Sequence, residues 1–116
     1  MNARKVVYVA GPYTRPDPVI NTHKAARVAT WIFENTDWVP MLPHVTLLWH
    51  AITPRPIEFW YALDLAHMAK CDAVVRLPGA SSGADAEVAY AESIGLPVIP
   101  FESFPDEMRS LWEQTI

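Results

Sequence analysis

Residues 73–87 read AVVRLPGASSGADAE, and this stretch decides the fold. Ala73-Val74-Val75-Arg76-Leu77 is a short apolar run of the kind a parallel strand needs when both of its faces are covered. Pro78 and Gly79 end it. Ser82-Gly83-Ala84-Asp85 then has the form of a helix N-cap with an acidic residue three places on, so the strand hands over to a helix across a turn containing glycine. Glu87 is thereby delivered into the start of a helix at the carboxyl edge of a sheet, where open α/β folds hold their ligands. A first-turn acid also complements the positive helix end, so this segment alone leaves Glu87 open between a structural and a chemical role.

The flanking segments repeat the alternation. Lys5 to Ala10 is rich in Val and stops at Gly11-Pro12, which predicts a first strand followed by a loop over 11–16. Asp17 is a good N-cap and Pro18 suits the first helical position, and apolar residues recur at helical spacing from Val19 to Phe33. Trp38 to Leu42 predicts a short edge strand, because Pro40 cannot donate to a ladder. Val45 to Pro56 predicts a short helical turn and then an irregular loop that could act as a lid. Ile57 to Lys70 reads as a second helix, about Asp85 to Ile94 as a third with Gly95 at its C-cap, Pro97 to Pro100 as a fourth strand, and Pro105 to Ile116 as a closing helix.

Four strands alternating with helices and no hairpin signal imply right-handed crossovers and a parallel sheet covered on both faces. The expected architecture is a single-domain α/β, flavodoxin/Rossmann-like three-layer sandwich over residues 1–116, with four or at most five strands in the order 2-1-3-4. The topological switch then lies between strands 1 and 3, and the loops after Ala10 and Leu77 should face each other across one crevice.

Composition narrows the function classes. With 51% apolar residues and five Trp among 116, the chain can bury a real core. The net charge of -4 is spread along the chain without clustered Lys or Arg, which argues against a nucleic-acid polymer as partner. No stretch reads as a secretory leader or a membrane span, and the lone Cys71 fits a reducing cytoplasm.

The expected crevice gathers Tyr8, Gly11, Tyr13 and Arg15 from one loop and Ser81, Ser82, Gly83 and Glu87 from the other. Glycines and a helix N-terminus suit a phosphate, and hydroxyls suit a sugar. The sequence holds neither a Walker loop nor G-x-G-x-x-G, so neither triphosphate hydrolysis nor dinucleotide redox chemistry is suggested. Asp64 shares one helical face with Trp60 and His67, and a second carboxyl beside Glu87 is what cleavage of a glycosidic bond requires. Asp64 can equally be a solvated surface charge. His44 and His50 have no third ligand at a characteristic spacing, so no metal is expected, and no cofactor is implied. Trp49, Phe59, Trp60 and Tyr61 surround the lid and could stack on a planar base, although core packing is their default.

Taken together, these segments resemble the nucleoside 2-deoxyribosyltransferase superfamily, and within it the 2′-deoxynucleoside 5′-phosphate N-hydrolases and small phage relatives. The resemblance rests on Val7-Tyr8-Val9-Ala10-Gly11-Pro12, Pro43-His44, Asp64-Leu65, Cys71-Asp72-Ala73-Val74-Val75, Ser81 to Glu87, and Gly95-Leu96-Pro97-Val98. It implies that Glu87 is a nucleophile attacking C1′, that Asp64 assists the leaving base, and that Tyr8 orients Glu87. The crevice and the resemblance together make Gly11, Pro12, Tyr13, Arg15, His44, Trp60, Ser81, Ser82 and Gly83 the expected substrate-binding residues. Ser81 stands six residues before Glu87, where transferases acting on free nucleosides tend to carry Asp, and a hydroxyl there tolerates a phosphate that a carboxylate would repel. The loop over 11–15 lacks the serine- and glycine-rich form of the hydrolases, with Thr14 and Arg15 in place of those donors. The implied reaction is hydrolysis of the N-glycosidic bond of a (deoxy)nucleoside 5′-monophosphate. Base exchange between nucleosides and a non-catalytic nucleotide-binding module are the alternatives, and a homodimer or higher homo-oligomer is the implied assembly.

Overall fold

The computed structural model describes residues 4–114. Its elements run β1 (Val6–Ala10), α1 (Pro18–Asn35), β2 (Val39–Met41), α2 (Thr46–Ile52), α3 (Ile57–Met68), β3 (Ala73–Arg76), α4 (Ser82–Ser93), β4 (Val98–Ile99) and α5 (Asp106–Glu113). The four strands form one sheet in the order β2-β1-β3-β4, and every pairing is parallel. Val7 pairs with Pro40 on one side and Ala73 on the other, so Pro40 does sit in an edge strand.

Strand alternation divides the core. Val7, Val9, Ala73 and Val75 face one layer, where they pack with Ala25, Val28 and Ile32 of α1 and with Met108 and Trp112 of α5. Tyr8, Ala10 and Val74 face the other, with Met68 of α3 and Ala91 of α4. This gives the expected three-layer, Rossmann-like α/β sandwich, and no fifth strand joins the sheet among the described residues.

Local chemistry explains the element ends. The Asp17 carboxylate accepts from the amides of Val19 and Ile20 at 2.8 and 3.0 Å, and Pro18 opens α1. Gly95, at φ +75°, follows the end of α4 in the left-handed region, and the Leu96 amide closes back on the Ala91 carbonyl at 2.8 Å. Helix α4 begins earlier than its composition suggests: the cap is Ser81, whose hydroxyl accepts from the Ala84 amide at 3.1 Å, and Ser82 is already helical. The helix ending at Met68 stops short of the expected Lys70, and α5 occupies Asp106–Glu113 within the longer expected segment, whose residues 115–116 lie outside the described residues. No described helix is long and apolar enough to cross a membrane.

Gly11 is required where β1 leaves the sheet. A Cβ there would lie 3.0 Å from Leu77 Cβ and 3.2 Å from its Cδ1, and the Leu77 amide is tied to the Ala10 carbonyl at 2.7 Å. Leu77 is itself wholly buried. Gly11→Ala should therefore lower unfolding stability by about 1–3 kcal/mol, read from the midpoint of a urea titration.

Candidate active site

Tyr8 lies mid-strand in β1 and is wholly buried, so its hydroxyl must find a partner inside the protein. That partner is Glu87, near the start of α4 and only 7% exposed; the phenol O–H donates to Glu87 Oε2. Burial and the neighbouring carboxylates of Glu87 and Asp64 drive the Tyr8 pKa far above its ordinary range, so the phenol remains a proton donor throughout. Burial raises the pKa of Glu87 as well, while the Tyr8 hydrogen bond and the Arg76 charge pull it back down. Glu87 is a buried carboxylate with a donor and a cation in attendance.

Asp64, from α3, reaches the same place under different conditions. Burial, and then the negative charge of Glu87, push its carboxyl up to about 7. Its Oδ1 is buried with no hydrogen-bond partner among the described residues. Burial raises the pKa of Tyr13, in the loop after β1, and the charge of Asp64 raises it further. Tyr13 stands edge-on to His44, with ring centroids 5.8 Å apart. His44 is buried and its Nε2 lies 2.9 Å from the Pro12 carbonyl, which fixes Nε2 as the protonated nitrogen of a neutral ring. Burial lowers its pKa, and Nδ1 is buried without a partner among the described residues.

Two residues that the sequence did not single out hold this arrangement. Arg76 ends β3 on the same face as Val74; its guanidinium donates to the carbonyls of Leu77 and Gly79 and pairs with Asp85 at 2.8 Å. It thus ties the turn before α4 to the helix itself. Its signal was a single cation in an otherwise apolar strand, at a position whose parity faces Glu87. Asn21, 2% exposed, donates from Nδ2 to the carbonyls of Tyr13 and Arg15, each at 2.9 Å, and so fixes the loop after β1. It stands on the buried stripe of α1 with Ala25, Val28 and Ile32, where a polar residue needs a reason.

The crevice between the two loops does not gather all the residues expected in it. A crevice of about 950 Å³ does lie there, lined by Pro12, Arg15, Lys24, Gly79, Ala80 and Trp112 among others, and it opens on the α1 and α5 side of the sheet. Tyr8, Asp64 and Glu87 do not line it, and neither do Tyr13 nor Ser81 to Gly83. Parity is the cause: Tyr8 points into the α3 and α4 layer, whereas Arg15 has already followed the chain over to α1. Pro12 packs against Gly79 in the wall of this crevice, its Cγ 3.0 Å from where a Cβ on Gly79 would stand. Trp60 is half-buried, and its indole N–H donates to His50 Nδ1 at 2.7 Å, so that donor is already engaged. Ser82 and Gly83 are exposed at the N-terminus of α4, where their amides are free of the helix ladder.

The Tyr8 donor has a direct test. In Tyr8→Phe the Glu87 carboxylate loses the one hydrogen-bond donor it has among the described residues, so its titration midpoint, followed by carboxyl carbon NMR, should move upward from the wild-type value. An unchanged midpoint would mean that the pair is not formed in solution.

No curated protein matches the chain. The family model described as domain of unknown function DUF4406 matches residues 5–100, a span that opens just before β1, closes just past β4, and takes in Tyr8, His44, Asp64, Arg76 and Glu87. By that match the chain belongs to the DUF4406 family.

Proposed function

We propose that the protein hydrolyses the N-glycosidic bond of a (deoxy)nucleoside 5′-monophosphate, releasing free base and sugar phosphate. The observation that carries this reading is the unequal setting of two carboxyl groups in one place. Burial raises both carboxyls, but at Glu87 a phenol donor and a nearby cation pull back toward the charged form, while Asp64 has an oxygen with no partner among the described residues, feels the Glu87 charge and holds its proton to about 7. Pairs whose surroundings push them apart in this way are how one site supplies a nucleophile and an acid at the same pH.

In the reaction, a Glu87 oxygen attacks C1′ as the bond from C1′ to the base nitrogen breaks, and Asp64 gives its proton to the departing base. The sugar is then held as an ester of Glu87. Asp64, now a carboxylate, takes a proton from water; the hydroxide adds to C1′ and Glu87 leaves. The resemblance to the N-hydrolases supports the substrate class, as does the end of α4. There Ser81 uses its oxygen to accept from Ala84 and keeps its O–H to donate, and the first amides of the helix suit a 5′-phosphate. The same reading places the protein in the cytoplasm, where a free thiol such as Cys71 persists and nucleotides are at hand.

The test is chromatography for free base after incubation with a panel of nucleosides and their 5′-monophosphates, with and without an added acceptor base. Base release from monophosphates is the expected result. A new nucleoside formed from the acceptor base would make the protein a transferase instead, and no base from any member of the panel would leave nucleotide binding without turnover.

A further inference from the structure

The crevice on the α1 and α5 side takes no part in the chemistry above, yet its lining suits a ligand of a definite kind. It is a positive island on a chain of net charge -4, where Arg15 and Lys24 stand against one carboxylate, Glu113. Neither cation is neutralised, because the ion pairs among the described residues are Arg76 with Asp85 and Arg109 with Asp106. Lys24 is half-buried and has an aromatic face in place of an anion, its Nζ 4.5 Å from the centre of the Trp112 ring. That ring is fixed in turn, since its indole N–H donates to the Pro78 carbonyl at 3.0 Å. Asn21 supplies the remaining polar group: at 2% exposed it donates both Nδ2 protons, to the carbonyls of Tyr13 and Arg15, while its Oδ1 takes no donor among the described residues and the residue lines the crevice. A buried amide oxygen without a donor is a place for one.

We propose that this crevice binds a small phosphate monoester carrying hydroxyl groups, at a site separate from the two acids. Two unpaired cations suit a dianion better than a single carboxylate, and the Arg15 fork can take two phosphate oxygens at once. Asn21 Oδ1 and the Glu113 carboxylate can only accept, so the ligand must bring donors besides its phosphate, and hydroxyls do so without adding charge. Pro12, Pro16 and Pro78 have no N–H to satisfy and offer carbon surface to the carbon chain of the ester. The occupant also acts on the loop after β1. Asn21 holds the carbonyls of Arg15, which lines the crevice, and of Tyr13, which stands edge-on to His44, so a ligand that engages Arg15 and Asn21 braces Tyr13 as well. Because Tyr8, Asp64 and Glu87 do not line the crevice, binding here and base release there can fail separately.

The probe is glycerol 3-phosphate, with inorganic phosphate and glycerol as its two halves. Titrated into the full chain at low salt, it should bind with a dissociation constant below about 1 mM. The backbone amide NMR signals that move should be those of Tyr13, Arg15, Asn21, Lys24, Gly79 and Ala80. Inorganic phosphate should bind at least about tenfold more weakly, because it leaves Asn21 Oδ1 without a donor, and glycerol alone should not bind. Lys24→Met keeps an apolar stem on Trp112 and removes the charge, so the dissociation constant for glycerol 3-phosphate should rise at least about tenfold. Binding weaker than about 1 mM, or no movement at these amides, overturns the inference. So does movement centred on Ser82 and Gly83 at the start of α4, inorganic phosphate that binds as tightly as the ester, or an unchanged affinity in Lys24→Met. The NMR map of the wild-type protein decides the matter even if Lys24→Met fails to fold.

Discussion

Glu87→Gln should reduce base release by at least about 10⁴-fold while leaving nucleotide binding in place. The amide is isosteric, its oxygen can still accept from the Tyr8 hydroxyl, and no buried charge is created, so the helix start and the Tyr8 contact survive the change. What disappears is the electron pair that would form the ester with C1′. The pattern separates a nucleophile from a structural acid. If Glu87 only complemented the N-terminus of α4, Glu87→Gln would bind and turn over nucleotides much as the wild type does, with a small change in stability. Calorimetry for binding and chromatography for turnover give the two readings on one protein sample. Retained turnover in Glu87→Gln would reject Glu87 as the nucleophile, whatever the other residues do.

The fold was readable because its punctuation is local. Val-rich runs closed by Gly11-Pro12 and by Pro78-Gly79 can only be strands leaving a sheet, and the unbroken segments between them are long enough for crossover helices. Parallel order and the switch between β1 and β3 follow from that alternation. The site was less readable, for three physical reasons. Ser81 and Ser82 are equally good caps by composition, and only the extended backbone of Ser81 decides between them. The loop over 11–16 has no periodicity, so nothing in the sequence says that Tyr13 turns toward Asp64 while Arg15 turns toward α1 and the crevice. The roles of Arg76 and Asn21 depend on carbonyls brought near by the folded chain, and tertiary contacts of that kind leave only a faint mark, a polar residue where an apolar one would pack.

Asp64→Asn should produce opposite effects on catalysis and stability, and their pH dependence makes the prediction specific. Asp64 holds its proton to about 7 in the folded protein, against an ordinary 3.8, because burial and the charge of Glu87 both disfavour the carboxylate. Between those two values the folded state keeps a proton that the unfolded state has released, so folding stability is greatest below about pH 4 and falls as pH rises through about 7. Above that point the buried carboxylate costs its full amount. Asn cannot ionise, so Asp64→Asn should be more stable than wild type by about 1–2 kcal/mol at pH 8, a figure reduced for partial exposure, and should show no gain from this source at pH 4. In a thermal melt at pH 8 that is an increase of about 3–8 °C in Tm. Catalysis should move the other way: kcat/KM falls about 10²–10³-fold, and the alkaline limb that the wild type shows near pH 7, where Asp64 loses the proton it must donate, disappears from the variant's profile. The loss should be smallest for substrates whose base departs readily without protonation. An alkaline limb that persists in Asp64→Asn would assign the acid to another group, and a variant destabilised at pH 8 would mean that Asp64 is paired in solution rather than buried without a partner.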